Sequence, residues 1–97
     1  MLVALERFDL RIPGCTSLKE KRHVVKALTA GLRQKFNVSV AEVDHHDLWQ
    51  RTAIGVSAVA PDGYQLRRIV HEVERHVGSF PGVEIIVVET GFHGPDD

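Results

Sequence analysis

The sequence has a single cysteine, Cys15, so no intrachain disulfide can form; the staple of small secreted domains is absent and a reducing, cytoplasmic setting is expected. No apolar run approaches the ~20 residues that a bilayer-spanning helix needs. The opening MLVALERFDLR lacks the basic and apolar regions of a signal peptide, so an unexported protein without a membrane partner is expected. There is no excess of charge of either sign: twelve Lys and Arg against thirteen Asp and Glu leave a formal net charge of −1, unlike a globally basic nucleic-acid packaging protein. Glycine-rich phosphate cradles of the GxGxxG or P-loop type are missing, which removes support for nucleotide-dependent chemistry. What is present is ordinary globular composition, 43% hydrophobic and 26% charged over 97 residues, expected to form one domain with a modest core.

The patterning gives six elements. Leu2 to Ile12 alternates Phe8, Leu10 and Ile12 against Arg7, Asp9 and Arg11, the period of a half-buried strand, and Pro13-Gly14 ends it. Ser17-Leu18-Lys19-Glu20 is a capping box, and Leu18, Val24, Val25, Leu28, Leu32 and Phe36 follow as the apolar stripe of a helix to about Lys35. Gly31 inside that helix signals close packing against a neighbour. Asn37 to Val43 and Arg51 to Ala60 read as an antiparallel strand pair, the latter alternating Ile54, Val56 and Ala58 against Gly55, Ser57 and Val59. Asp62 or Gly63 caps a second helix carrying Leu66, Ile69, Val70, Val73 and Val77, closed by Gly78. The last strand, from Val83 through Ile85-Ile86-Val87-Val88, is apolar enough to predict burial on both faces and a central place in the sheet. The tail from about Gly91 is expected to fray.

The order strand, helix, strand, strand, helix, strand is the ferredoxin-like split βαβ pattern (βαββαβ), an α+β fold with a four-stranded antiparallel sheet and both helices on one face. The other face is then uncovered, and the small or apolar residues of the last two strands predict self-association through that face or an edge strand, a homodimer being the simplest closed form. Glu6 falls among the buried positions of the first strand; a sheet margin reached by water, or an intersubunit partner, would account for it.

Two segments could carry function. Ser17 to Phe36 holds six cations against Glu20 alone, and Lys19, Arg22, Lys26 and Arg33 form a stripe suited to a phosphate backbone; the plain alternative is the solvated face of an amphipathic helix. The expected third strand, Ala53 to Val59, has no aromatic residue and the stacking platform of RNA-recognition domains is missing, so any RNA would be held by phosphate or shape contacts. The second segment is Glu42-Val43-Asp44-His45-His46-Asp47-Leu48-Trp49-Gln50-Arg51, dense in groups that ligate metals or exchange protons. Extended backbone would place Asp44 and His46 on one face and His45 on the other, too few for a zinc set, and His23, His71, His76 and His93 show no ligand spacing, so no metal site is expected. The bland reading is a polar hairpin tip, with Asp44 or Asp47 capping a short turn and Trp49 folded over the core edge. Cys15 precedes a helix but has no local base or acid, and the loop after the first strand has no arginine, so neither nucleophilic catalysis nor acylphosphatase chemistry is supported.

Ser17-Leu18-Lys19-Glu20-Lys21-Arg22 and the run from Phe36 to Arg51 closely resemble the YlxP-like family of small bacterial proteins, a domain of unknown function, over almost the whole chain from LRIPG to the last strand. That resemblance implies a ferredoxin-like fold in a cytoplasmic protein. Because genes of that family often neighbour those for translation initiation and ribosome assembly, it also implies a ribosome- or RNA-linked role; it supplies no catalytic residues. Glu6 departs from the apolar residue expected at its position. The combined expectation is a non-enzymatic accessory protein without a cofactor, contacting ribosomal RNA or a ribosome-assembly intermediate through Lys19, Arg22, Lys26 and Arg33. Asp44, His45, His46, Asp47, Trp49 and Arg51 would supply a second contact. The alternatives are a homo-oligomer binding a small ligand or metal at the Asp44 to Asp47 turn, and a protein-interaction module using the open sheet face.

Overall fold

A computed structural model describes residues 1–95. The elements are β1 (Leu2–Arg11), α1 (Leu18–Lys35), β2 (Val38–Asp44), β3 (Arg51–Ala60), α2 (Gly63–Gly78) and β4 (Glu84–His93). The four strands form one sheet in the order β2-β3-β1-β4, every neighbouring pair antiparallel, as the expected split βαβ topology requires. Local chemistry sets the helix starts. The Ser17 hydroxyl accepts from the Glu20 N–H at 3.1 Å, and the Asp62 carboxylate accepts from the Gln65 N–H at 2.9 Å. Glu20 reaches back to the Thr16 N–H at 2.9 Å rather than to Ser17, so the capping box closes one residue early.

The core lies between the sheet and both helices. Phe8, Leu10 and Ile12 of the first strand and its exit, Ile54 and Val56 of β3, Leu28 and Leu32 of α1, and Val73 and Val77 of α2 share one buried cluster. A smaller cluster of Ala4, Ala58, Ala60, Leu66 and Val70 extends it under α2. Each fully buried large side chain contributes about 1.5–3 kcal/mol relative to exposure, so the alternation along β1 and β3 suffices to fix which face turns inward. Gly31 packs against α2: a Cβ there would stand 3.3 Å from His76 Nε2.

β4 departs from expectation. It is an edge strand, and Ile85, Ile86 and Val87 are all exposed. The reason is topological. Each crossover, β1-α1-β2 and β3-α2-β4, skips one strand, so interleaving the two puts the opening strand of each unit in the centre and the closing strand outside. The valine and isoleucine run of β4 therefore reflects strand preference, not central burial. The tail is expected to fray from about Gly91, whereas Gly91 to His93 pair with Leu5 to Val3; Gly94 and Pro95 follow outside the strand, and residues 96 and 97 lie outside the described residues.

Two register shifts bend the edges. Ile86 is passed over between the Asp9↔Val87 and Leu10↔Ile85 pairs, and Val43 between Glu42↔Ile54 and Asp44↔Ala53. The second shift lays Val43 across Gly55, where a Cβ would stand 2.9 Å from Val43 Cγ1.

Candidate functional site

Helix α1 divides its cations by role. Lys19, Arg22 and Lys26 lie at i, i+3 and i+7, all exposed, with His23 between them, and among the described residues none of the three side chains makes a hydrogen bond or ion pair. Glu20, the one acid nearby, is occupied by the Thr16 N–H and hydroxyl, which hold its carboxyl below the ordinary glutamate range. Arg33 stands apart from this group: its guanidinium donates to the Val40 carbonyl at 2.7 Å and ties the helix to β2.

Lys21, which composition alone counts among the solvent cations, is 1% exposed. Its Nζ lies 3.0 Å from Glu42 Oε2 and donates to the His45 carbonyl. The Thr52 hydroxyl donates to the same Glu42 oxygen at 2.6 Å. Burial raises the Glu42 pKa, but the Thr52 and Lys21 donors outweigh it and hold the carboxylate below its ordinary value. Further links join the same parts: Gln50 Nε2 donates to the Cys15 carbonyl at 3.2 Å, and the Ile12 N–H to the Gln50 carbonyl at 2.9 Å. The helix start and the β2–β3 connection, far apart in sequence, thus form one bonded unit.

The connection itself is not the expected extended tip. His45 adopts φ 61°, a left-handed conformation uncommon for a side-chain-bearing residue, and its N–H donates to Asp44 Oδ1 at 2.7 Å. The chain then closes a turn through Leu48 N–H to the His45 carbonyl at 3.1 Å. That reversal brings Asp44 and His45 together over the open sheet face instead of on opposite sides. Arg7 bridges there, donating to Asp9 at 3.1 Å and to Asp44 at 3.1 Å, while His45 Nε2 lies 3.6 Å from Asp9 Oδ1. The Arg7 guanidinium holds the Asp9 carboxyl low, and the His45 N–H followed by Arg7 does the same for Asp44. Arg51 adds its charge beside Asp9, with its buried Nε unpartnered.

The remaining residues of the segment stay at the surface. His46 Nε2 is 3.9 Å from Glu42 Oε1, Asp47 is exposed, and Trp49 is 51% exposed, so neither an aspartate-capped helical turn nor a tryptophan folded on the core is formed. Among the described residues no group of three or more His, Cys, Asp or Glu side chains is arranged to hold a metal ion. Cys15 is buried, its thiol donating to the Ser17 carbonyl at 3.3 Å.

Glu6 is not at a water-reached margin. It is 5% exposed on the helix-facing side of the sheet, where the Thr90 hydroxyl donates to its Oε2 at 3.1 Å. Burial first, then a hydrogen bond with Glu74 of α2 and that residue's negative charge, push its pKa up to about 8, against the lowering effect of Thr90.

Fold and site together define a split βαβ protein whose charged features lie on one helix face and one hairpin connection rather than in an enclosed cleft. The family model described as "Protein of unknown function (DUF503)" matches residues 3–90, and the chain belongs to that family. It is 39% identical over 74 residues to the uncharacterized protein YlxP of Bacillus subtilis (strain 168), covering 76% of this chain and 80% of that one. Among solved structures, the de novo designed protein Foldit4 aligns with a TM-score of 0.53 at 14% identity, covering 97% of this chain and 98% of the design. SnoaB, a cofactor-independent oxygenase from Streptomyces nogalater, aligns at 0.52 and 12% identity, covering 96% of this chain and 91% of its own. At such identities these two likenesses concern the fold alone. No helix among the described residues is long and apolar enough to cross a membrane.

Proposed function

We propose that the protein is a non-enzymatic accessory factor that contacts ribosomal RNA or a ribosome-assembly intermediate through the exposed N-terminal half of α1, with Lys19, Arg22 and Lys26 on phosphates. One observation carries the reading. Lys19 lies in the first turn, where the positive end of the helix dipole opposes a cation, and Arg22 and Lys26 continue its face with none of the three side chains ion-paired among the described residues, so an external anion accounts for them better than folding does. The half-exposed Trp49 and the Asp44 to Arg51 connection, bonded to the helix start through Lys21, stand as the second contact. Arg33 serves the fold through Val40 and falls outside the contact.

The test is binding of the purified chain to ribosomal subunits and assembly precursors across a salt series. Three phosphate contacts give a slope of log affinity against log salt of about −3 on duplex regions, and Lys19→Glu with Arg22→Glu should flatten it by about 2. Binding by that double variant equal to the parent at every salt concentration would remove the helix from the contact.

A further inference from the structure

We infer that the open face of the sheet is the contact between two copies of this chain. Each strand places one exposed large apolar side chain on that face, Leu5 from β1, Val43 from β2, Val59 from β3 and Val87 from β4, all between 44% and 59% exposed, with the half-buried Val3 beside Val59. A patch drawing on all four strands is more than the scattered apolar residues of an ordinary surface.

The same face carries both the projections and the recess that receives them. Between Leu5 and Val43 lies a hollow of about 280 Å³, lined by Ser39, Ala41, Gly55 and Ser57 as well as those two. A contact related by a two-fold axis uses one surface twice and must therefore be complementary to itself. Leu5 and Val59 beside a glycine-floored recess meet that condition. Area is sufficient as well. Three strands of ten residues and one of seven, spaced ~4.8 Å apart with ~3.4 Å per residue, present roughly 600 Å² per copy, so stacking two faces buries on the order of 1,200 Å², the lower bound for a stable protein interface.

Charge argues for a second copy over a strongly charged partner. The ionic groups bordering the apolar half, Arg7 with Asp9 and Asp44, are already bonded to one another within the chain. Covering these three leaves none of them unpaired. Glu89, Glu84 and Arg11, which share the face and make no ion pair among the described residues, lie toward the β4 border and the Arg11 end of β1, where they keep contact with water. The mixed signs of the face offer no single countercharge to a nucleic acid or an acidic protein. The basic face of α1 lies on the opposite side of the sheet, so this contact is independent of the proposed RNA contact through Lys19, Arg22 and Lys26 and can fail without it; Asp44, at the border of the face, belongs also to the second contact.

The experiment is sedimentation equilibrium of the untagged chain over a wide concentration range, with Val59→Lys and Leu5→Lys as variants and circular dichroism as the check on folding. The parent should approach twice the 10.8 kDa chain mass, and both lysine variants should fall to 10.8 kDa with unchanged spectra. Should either lysine variant unfold, Leu5→Ala, which removes bulk without adding charge, should still weaken the dimer at least tenfold. Ile86→Lys, at the bulge of the edge strand, should leave the dimer intact. A parent at 10.8 kDa at every concentration overturns the inference and gives the face to a different partner. A dimer broken by Ile86→Lys but not by the face variants overturns it in favour of edge pairing.

Discussion

Replacing Glu6 by glutamine keeps the shape of the side chain, and a group able to bond Thr90, while removing a titration. In the folded chain Glu6 has a pKa of about 8 where an ordinary glutamate has 4.5, so the folded state holds its proton more tightly than the unfolded state does. A raised pKa contributes stability that is fully present below 4.5 and is lost as pH rises toward 8. At pH ~7 the unfolded carboxylate is ionised while the folded one is still largely protonated, and at ~1.36 kcal/mol per unit that difference sets a ceiling of about 3.4 kcal/mol. Relaxation around the charge and sharing of the proton with Glu74 reduce the effect, so a gain of about 2 kcal/mol is expected for Glu6→Gln near neutrality. The assay is urea unfolding of parent and variant from about pH 4 to about pH 9, with the two curves sharing one m-value. The stabilities should coincide at the acid end and separate steadily above pH ~5. A difference that stays constant across that range would refute burial of an ionisable Glu6.

Two further substitutions probe the frame of the site. Lys21→Met leaves Glu42 without its buried ammonium and should cost about 3 kcal/mol by denaturant unfolding, whereas removing both partners together should cost less than the sum of the single changes. Because the folded Glu42 pKa lies below its ordinary value, the Lys21 contribution is present above pH 4.5 and should fade as acid protonates the Glu42 carboxylate. Gly55→Ala drives a methyl to 2.9 Å from Val43 Cγ1 and should cost about 1 kcal/mol; Val43→Ala in the same chain should restore most of that, and a double variant no better than Gly55→Ala would contradict the overlap.

Local signals were readable where chemistry acts over a few residues. The Ser17 and Asp62 caps, the alternation of β1 and β3 and the apolar stripes of both helices all follow from neighbours in sequence. The edge position of β4 did not, because composition reports strand preference while topology decides which strand is covered. In the candidate site, Lys19, Arg22 and Lys26 stood out by spacing, but Lys21 was indistinguishable as a charge. Its position held a signal that counting charges passes over: Lys21, Val25, Leu28 and Leu32 share one helical face, and Glu42 follows Val38 and Val40 on the inward side of β2, so periodicity sets both charges at inward positions, where each is the other's partner. The left-handed turn at His45 had no comparable mark, since nothing in the residue type requires it.

The two borders of the sheet are unequal in their exposure to a passing strand. On β2, an incoming chain would have to displace the Arg33 guanidinium from the Val40 carbonyl before it could extend the ladder. On β4 no arginine among the described residues is stationed in that way, and the deterrents are the bulge at Ile86 and the charges of Glu84 and Glu89. Cross-chain aggregation should therefore begin at β4, and a chain stressed by heat or crowding is guarded at one flank by its own helix and at the other only by irregularity and repulsion.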